Sequence, residues 1–186
     1  MPAVAKTDRE AILQAALVRL RRDGLPALSL RSLAADVGIA TNALYHYFPS
    51  RSDLENALSD RAAYRMHAAL QRDLARRSRE AKLSPADRVS TLAAGYLRFA
   101  QREPHLYAAM VHGPCSTGET TEGHTALWQL VYEAAAALHG EAEASHAAVS
   151  LWALLHGTIS LLQAGALSMK PDECIRFGLQ AWMQVP

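Results

Sequence analysis

The stretch from Ser29 to Asp53, SLRSLAADVGIATNALYHYFPSRSD, decides the fold that this sequence predicts. Apolar residues recur at helical spacing between Leu30 and Val37, and Ser29 precedes them as a candidate helix cap. Gly38 can adopt the positive φ that ends one helix and turns the chain toward the next. Two short helices around a tight turn are typical of a helix-turn-helix, whose second helix enters the major groove of DNA.

The second of these helices has an inner and an outer face. Ile39 and Leu44 are predicted to be buried, and polar or aromatic residues remain outside. These outer residues are Thr41, Asn42, Tyr45 and Tyr47. Pro49 ends the helix, and Ser50 or Ser52 can cap the helix that follows.

The same stretch resembles the N-terminal DNA-binding domain of the TetR/AcrR family of bacterial transcriptional regulators. The resemblance covers residues 8–58 and is carried by Leu28-Ser29-Leu30-Arg31, Leu33-Ala34, Val37-Gly38, Leu44-Tyr45-His46-Tyr47-Phe48, Arg51 and Leu54. Two positions depart from the family pattern. Arg51 stands where the family usually has Lys, and it keeps the positive charge. Ala40 stands where the family often has Ser, which leaves Thr41 as the candidate cap one residue later.

A second, shorter resemblance lies nearer the C-terminus. Trp152 followed by His156-Gly157 resembles the WHG-type C-terminal regulatory domain that is attached to some TetR-like regulators. Together the two resemblances imply an all-α chain. They imply a three-helix DNA-binding domain with the helix-turn-helix at residues 1–55, and a helical ligand-binding and dimerisation domain at residues 56–186.

The resemblance implies which side chains read bases. Thr41 and Asn42 should face base edges near the start of the recognition helix, where Asn pairs with adenine and the Thr methyl group contacts thymine. Arg31 should project toward the groove as a guanine reader. Tyr47 is expected to reach either a base or a phosphate.

Three further residues are expected at the DNA backbone. The resemblance places Tyr45 against a phosphate or sugar and His46 beside the phosphates without reading sequence. Arg51, at the start of the following helix, should clamp a phosphate together with the free N–H groups of that helix.

Composition and charge agree with an all-α DNA-binding protein of one or two domains. Of the 186 residues 50% are hydrophobic, and no alternating runs of Val, Ile and Thr predict strands. Residues 1–82 hold 14 Lys and Arg against 9 Asp and Glu, whereas residues 83–186 hold 5 against 9. The basic part of the chain suits contact with phosphates.

Hydrophobic periodicity predicts further helices outside the helix-turn-helix. They span approximately residues 8–22, 52–78, 85–102, 104–111, 121–139, 144–168 and 171–184. A loop rich in glycine, threonine and serine is expected at residues 112–124.

The penultimate helix is unusual because residues 144–169 contain no Asp, Glu, Lys or Arg. The stretch is long enough to span a membrane, so a membrane-associated helical protein is one alternative. Several polar groups, including Ser150, His156 and Gln163, argue against a lipid-facing helix. A helix that is apolar nearly all round in a small chain favours burial against a second copy, and a homodimer is therefore expected.

The candidate effector-binding residues are aromatic or polarisable side chains on the C-terminal helices. They are Tyr96, Phe99, Tyr107, Met110, Trp128, Tyr132, Trp152 and His156. They could surround a mostly apolar cavity, or they could simply pack a core. Only five Lys or Arg follow residue 82, so we expect an apolar or aromatic effector rather than a multiply charged anion.

No catalytic, cofactor or metal signature is evident: the sequence has no HExxH, CxxC or Gly-rich phosphate loop. Cys115 and Cys174 form no motif and fit a reducing cytoplasm. We therefore expect a cytoplasmic, ligand-responsive transcriptional regulator, a repressor, whose partners are an operator in double-stranded DNA, a small-molecule effector and a second copy of the chain. The alternatives are an activator of the same family and an all-α enzyme in which the helix-turn-helix is only structural.

Overall fold

The computed structural model describes residues 8–112, 121–168 and 170–184, and every regular element within these ranges is a helix. The helices are α1 (Arg9–Asp23), α2 (Leu30–Asp36), α3 (Thr41–Tyr47), α4 (Arg51–Glu80), α5 (Pro85–Arg102), α6 (Pro104–His112), α7 (Glu122–His139), α8 (Ala144–Gln163) and α9 (Pro171–Met183). The predicted all-α fold class is confirmed. Most of the predicted loop at 112–124, with Cys115, lies outside the described residues.

Polar side chains at the helix starts explain where several helices begin. The Asp8 carboxylate accepts the backbone N–H of Ala11 at 2.8 Å and caps α1. Ser84 and Asp87 cap α5 reciprocally, because the N–H of each residue donates to the side chain of the other at 3.1 Å. The Ser84 hydroxyl also donates to the Asp87 carboxylate at 2.6 Å, and this bond, together with the one from the Ser84 N–H, holds the pKa of the Asp87 carboxyl below its usual range.

The end of α8 differs from the prediction, which extended this helix to residue 168. Gly165 adopts φ +66°, its N–H bonds to the carbonyl of Leu162 at 3.0 Å, and the N–H of Ala166 bonds to the carbonyl of Leu161 at 2.9 Å. This is the left-handed glycine turn that satisfies the last carbonyls of a helix. The predicted end was wrong because apolar periodicity continues past the glycine that stops the helix.

The chain divides into two compact units, Met1–Ala63 with Glu103–Thr121, and Tyr64–Arg102 with Glu122–Pro186. In the first unit, α1 packs against both α2 and α6, and α2 packs against α3. The inner face of α1 is fully buried from Ile12 to Leu20 at helical spacing. Burial of this apolar stripe stabilises the unit and fixes the helix-turn-helix on α1.

The second unit is organised around α5, which packs against α7, α8 and α9. Helix α8 also packs against α7 and α9. Gly178 lets α9 approach α8 closely, since a Cβ atom there would lie 2.6 Å from a methyl carbon of Leu154. The proposed domain boundary between residues 55 and 56 stays a prediction.

Helix α8 has the length and the apolar composition of a membrane-spanning helix, and it is one such helix among the described residues. Only 28% of its most apolar window is buried within the chain. Core helices of proteins that do not enter membranes pass the same test.

Candidate nucleic-acid interface

The turn between α2 and α3 is built by local hydrogen bonds. Ser29 caps α2 by accepting the N–H of Ser32 at 3.1 Å, as predicted. At the other end Gly38 has φ +70°, and the N–H of Ile39 bonds to the carbonyl of Ala34 at 3.0 Å. The glycine therefore turns the chain immediately after α2, and the direction of α3 is fixed by the backbone.

Helix α3 has the two faces that the sequence predicted. Leu44 and the following Phe48 are fully buried. Asn42, Tyr45 and His46 are exposed, with Tyr45 at 45%. The outer face thus presents an amide, a phenol and an imidazole, all of which can hydrogen-bond to DNA.

Thr41 and Tyr47 are half-buried, so they lie at the margins of this outer face. Ala40 is the N-cap of α3, and no side chain caps the helix. The alternative that Thr41 serves as the cap is therefore wrong, because Thr41 already belongs to the first turn of α3. The N–H groups of Thr41 and Asn42, in the first turn of α3, thus receive no side-chain cap, and a phosphate is one acceptor that can satisfy such groups.

Arg51 begins α4 directly beyond α3, in a turn capped by Ser50. The Ser50 hydroxyl accepts the N–H of Asp53 at 3.1 Å. The Arg51 side chain is half-exposed, and its Nε lies 2.7 Å from the Glu55 carboxylate. A terminal nitrogen donates to the carbonyl of Leu25 at 3.3 Å. A phosphate contact by Arg51 would thus compete with Glu55 or use its remaining N–H donors.

Arg31 lies in the first turn of α2 and is exposed. Arg31 and Arg51 thus lie on the helices before and after α3 within the first compact unit. A short helix with a polar outer face and basic side chains on its neighbouring helices has the chemistry that a major groove requires. Whether each predicted residue contacts DNA stays a prediction.

Ion pairs that sequence spacing does not reveal tie this unit together. Arg19 on α1 reaches Asp36 at the end of α2 at 3.4 Å. Arg61 on α4 donates two hydrogen bonds to Glu10, at 2.8 and 2.7 Å, which lower the pKa of that carboxyl. These residues are far apart in sequence and showed no motif, so only the fold brings them together.

The predicted effector residues divide between the two units. Tyr107 and Met110 lie on α6, buried in the first unit. The other six lie in the second unit, two on each of three helices: Tyr96 and Phe99 on α5, Trp128 and Tyr132 on α7, and Trp152 and His156 on α8.

Two of these six residues are in contact through a hydrogen bond. The Trp152 indole N–H donates to the Tyr96 hydroxyl at 3.3 Å, where Tyr96 is buried and Trp152 is exposed. Tyr132 instead donates to Glu141 at 3.1 Å, which raises the pKa of its hydroxyl. Within the described ranges, no group of three or more His, Cys, Asp or Glu side chains could hold a metal ion.

Comparison with known proteins places this architecture in a family. A family model described as "Bacterial regulatory proteins, tetR family" matches residues 12–58, and one described as "Tetracyclin repressor-like, C-terminal domain" matches residues 89–181. An uncharacterized HTH-type transcriptional regulator from Mycobacterium tuberculosis is 30% identical over 168 residues, which are 88% of this chain and 73% of the relative.

Solved structures agree with these matches. A protein of unknown function from Rhodococcus sp. RHA1 is 27% identical with a TM-score of 0.78, over 99% of this chain and 97% of that one. A TetR variant from Acinetobacter baumannii AYE, in complex with minocycline, shares the fold at 18% identity and a TM-score of 0.69, over 96% and 95% of the two chains.

The fold and the polar recognition helix thus define a helix-turn-helix, DNA-binding transcriptional regulator. The chain belongs to the TetR family of bacterial regulatory proteins, and its C-terminal part is of the tetracycline-repressor-like type. The predicted family, fold class and DNA-binding character are confirmed.

Proposed function

We propose that this chain is a homodimeric repressor that reads its operator with α3 and is released by a small apolar or aromatic effector. The observation that carries the proposal is the outer face of α3, which is polar and exposed while Leu44 anchors the inner face in the core. In this proposal residues 1–55 bind DNA, and residues 56–186 bind the effector and form the dimer.

The exposed side of the last two helices supports the dimer. Val149 and Leu161 on α8 are 53% and 48% exposed, and Phe177 on α9 is 76% exposed. Exposed apolar side chains on two neighbouring helices form a surface that water solvates poorly, and a second copy can cover it with the same surface. The absence of charge from residues 144–169 leaves nothing on α8 to oppose such an association.

Gly157 adds an independent argument for a partner helix. It lies in the middle of α8, where glycine costs about 1 kcal/mol relative to alanine. Within the chain this cost has no compensation, because a Cβ atom at Gly157 would meet nothing within 4 Å. A glycine that faces open space in one copy is explained if the backbone of a second copy approaches closely there.

The side chains of the second unit support an apolar or aromatic effector. Its candidate residues are mainly aromatic, and the paired Tyr96 hydroxyl and Trp152 indole N–H can orient a ligand by hydrogen bonds. Arg98 on α5 is already paired with Asp73 on α4, at 2.5 Å. A buried multiply charged anion would need compensating cations, and only five Lys or Arg follow residue 82.

Release from DNA would follow from a shift between two conformations. A dimeric helix-turn-helix protein must hold its two recognition helices about 34–36 Å apart to enter successive major grooves. An effector that binds more tightly to a conformation with another spacing weakens DNA binding by the same factor. A hundredfold weakening requires only about 2.7 kcal/mol of differential affinity.

DNA binding can be tested without knowledge of the operator. The purified full-length protein is used to select duplexes from a random-sequence pool. The proposal expects an inverted repeat with half-sites one helical turn apart, or a multiple of it, because two symmetric copies bind. Failure to enrich any sequence would contradict sequence-specific binding, and enrichment of single half-sites would contradict the dimer.

Repression and release need a second experiment. In-vitro transcription from the promoter region of the chain's own gene should fall when the protein is added. Apolar or aromatic compounds that raise the protein's thermal stability should restore it. Stimulated transcription would indicate an activator, and release by multiply charged anions alone would contradict the proposed effector class.

A further inference from the structure

The first residue of α1 lies beside the end of the proposed recognition helix. The guanidinium carbon of Arg9 is 4.7 Å from the centre of the Phe48 ring. Phe48 is the C-cap of α3 and is fully buried, whereas Arg9 is exposed. The ring therefore holds the positive charge of Arg9 at the surface, next to the last turn of α3.

The acidic residues next to Arg9 in the chain direct their hydrogen bonds to other groups. Asp8 caps α1 by accepting the N–H of Ala11 at 2.8 Å. Glu10 accepts two hydrogen bonds from Arg61 and one from Gln14, the last at 2.7 Å. Arg9 acts on Glu10 only through space, as the last of the causes that lower the pKa of that carboxyl, so the N–H donors of Arg9 are left for another acceptor.

A guanidinium over an aromatic ring is well prepared to bind an anion. A guanidinium that stacks on a ring by its flat face keeps its N–H donors in its own plane, where they can reach outward. The ring also restricts the long side chain before DNA arrives, so less conformational entropy is lost on binding. Phosphate oxygens match the forked geometry of these donors.

We propose that Arg9 is an additional phosphate-binding residue of the DNA interface, positioned by Phe48. The proposal rests on the reading of DNA by α3, since it places Arg9 at the backbone that flanks the groove which α3 enters. The sequence alone does not indicate this role for either residue. Arg9 is the first residue of an ordinary amphipathic helix, and Phe48 is predicted to be a core residue.

The test compares three single variants of the full-length chain by the salt dependence of DNA binding. Arg9→Gln removes the charge, Arg9→Lys keeps it, and Arg22→Gln removes an exposed charge from the opposite end of α1 as a matched control. Each variant is titrated against a duplex that the parent protein selects from a random pool, and against a scrambled duplex of equal length.

The proposal expects Arg9→Gln to lower the slope of log affinity against log salt by about 0.9 per bound protomer on both duplexes. A fourfold rise in salt would then weaken binding about 3.5-fold less per protomer than in the parent. Arg9→Lys and Arg22→Gln should keep the parental slope. Loss of the ring contact should shift the melting temperature of Arg9→Gln by only about 1–4 °C.

An unchanged slope in Arg9→Gln, when the parent binds with a steep slope, would overturn the inference and leave the proposed function intact. An equal loss of slope in Arg9→Gln and Arg9→Lys would also overturn it. Lys keeps the positive charge, so such a loss would come from a change in structure and not from a lost phosphate contact. A parent protein that selects no duplex from the pool would instead contradict the proposed function itself.

Discussion

Helices α3 and α8 both present a face that the rest of their own unit leaves exposed, but the two faces differ in chemistry. The outer face of α3 carries Asn42, Tyr45 and His46. The outer face of α8 carries Val149 and Leu161, and its neighbour α9 adds Phe177 to the exposed apolar surface.

The difference indicates which kind of partner each face suits. Hydrogen-bonding groups beside exposed basic residues suit a hydrated polyanion, and binding there should weaken steeply with salt. Apolar side chains around an uncompensated glycine suit a second protein surface, and association there should depend little on salt. The two faces should therefore respond differently to a change in salt concentration and to the introduction or removal of a charge.

The largest effect is expected where a charge is placed on the apolar face. Val149→Glu should convert the dimer to a monomer of 20.2 kDa by light scattering, because the dimer would bury an unpaired carboxylate at a cost of several kcal/mol. Helix content should remain, since Val149 is 53% exposed in the single chain.

Val18→Glu on α1 is the matched control for this substitution. Val18 is 68% exposed and lies in the other compact unit, so the same change there should leave the molecular mass at that of a dimer. If Val149→Glu remains dimeric at micromolar concentration, this face of α8 is not the interface.

A smaller effect is expected from charges beside α3. Arg51→Ala should weaken binding to all duplexes nearly equally and lower the salt slope by about 0.9 per protomer, because one phosphate contact is lost. Glu55→Gln should act in the opposite direction and strengthen binding, because the carboxylate 2.7 Å from Arg51 competes with phosphate. Titrations at several salt concentrations measure both changes, and identical slopes for the two variants would remove Arg51 from the phosphate contacts.

The cap of α4 provides a stability effect of intermediate size. Ser50→Ala should lower the free energy of unfolding by about 1 kcal/mol, because the N–H of Asp53 loses its acceptor. In thermal denaturation this corresponds to about 2–4 °C for a chain of this length. Ser52→Ala is the control: Ser52 lies two residues further along the chain, within α4, and is exposed, so its replacement should change the stability little.

The smallest effect is the pH dependence of the Glu10–Arg61 pair. Because hydrogen bonds from Arg61 lower the pKa of Glu10 in the folded state, the pair stabilises the fold above the ordinary carboxyl range. This stabilisation is lost as the pH falls through the lowered pKa. Urea denaturation should show Glu10→Gln less stable than the parent at pH 7, by under about 1 kcal/mol for so exposed a pair. The gap should close in acid, and a gap that persists there would refute the assignment.

The fold could be predicted largely because its determinants are local. The helix cap at Ser29, the turn at Gly38 and the cap at Ser84 each act within a few residues, and apolar periodicity located the helices around them. The end of α8 was missed because Gly165 interrupts an apolar run that continues beyond it.

The site could be predicted only in part, because some of its features are local in sequence and others depend on contacts between helices. The outer face of α3 follows from the position of Leu44, so its residues were identified from the sequence. Contacts between helices, such as Arg19 with Asp36 and Arg9 with Phe48, depend on how α1 lies against α2 and α3. The spacing of residues along the chain does not predict such contacts between helices. It also does not predict how the candidate effector residues divide between the two compact units.

The most direct test of the proposed reading of DNA by α3 is the sequence preference of Asn42→Ala. The affinities of this variant and of the parent are measured for the selected duplex and for its scrambled counterpart at one salt concentration. Loss of a base contact worth about 1–3 kcal/mol should reduce the preference for the selected duplex about 5- to 150-fold per half-site, with scrambled DNA bound nearly as before. Equal weakening on both duplexes, or no change on either, would contradict the claim that α3 reads the operator through Asn42.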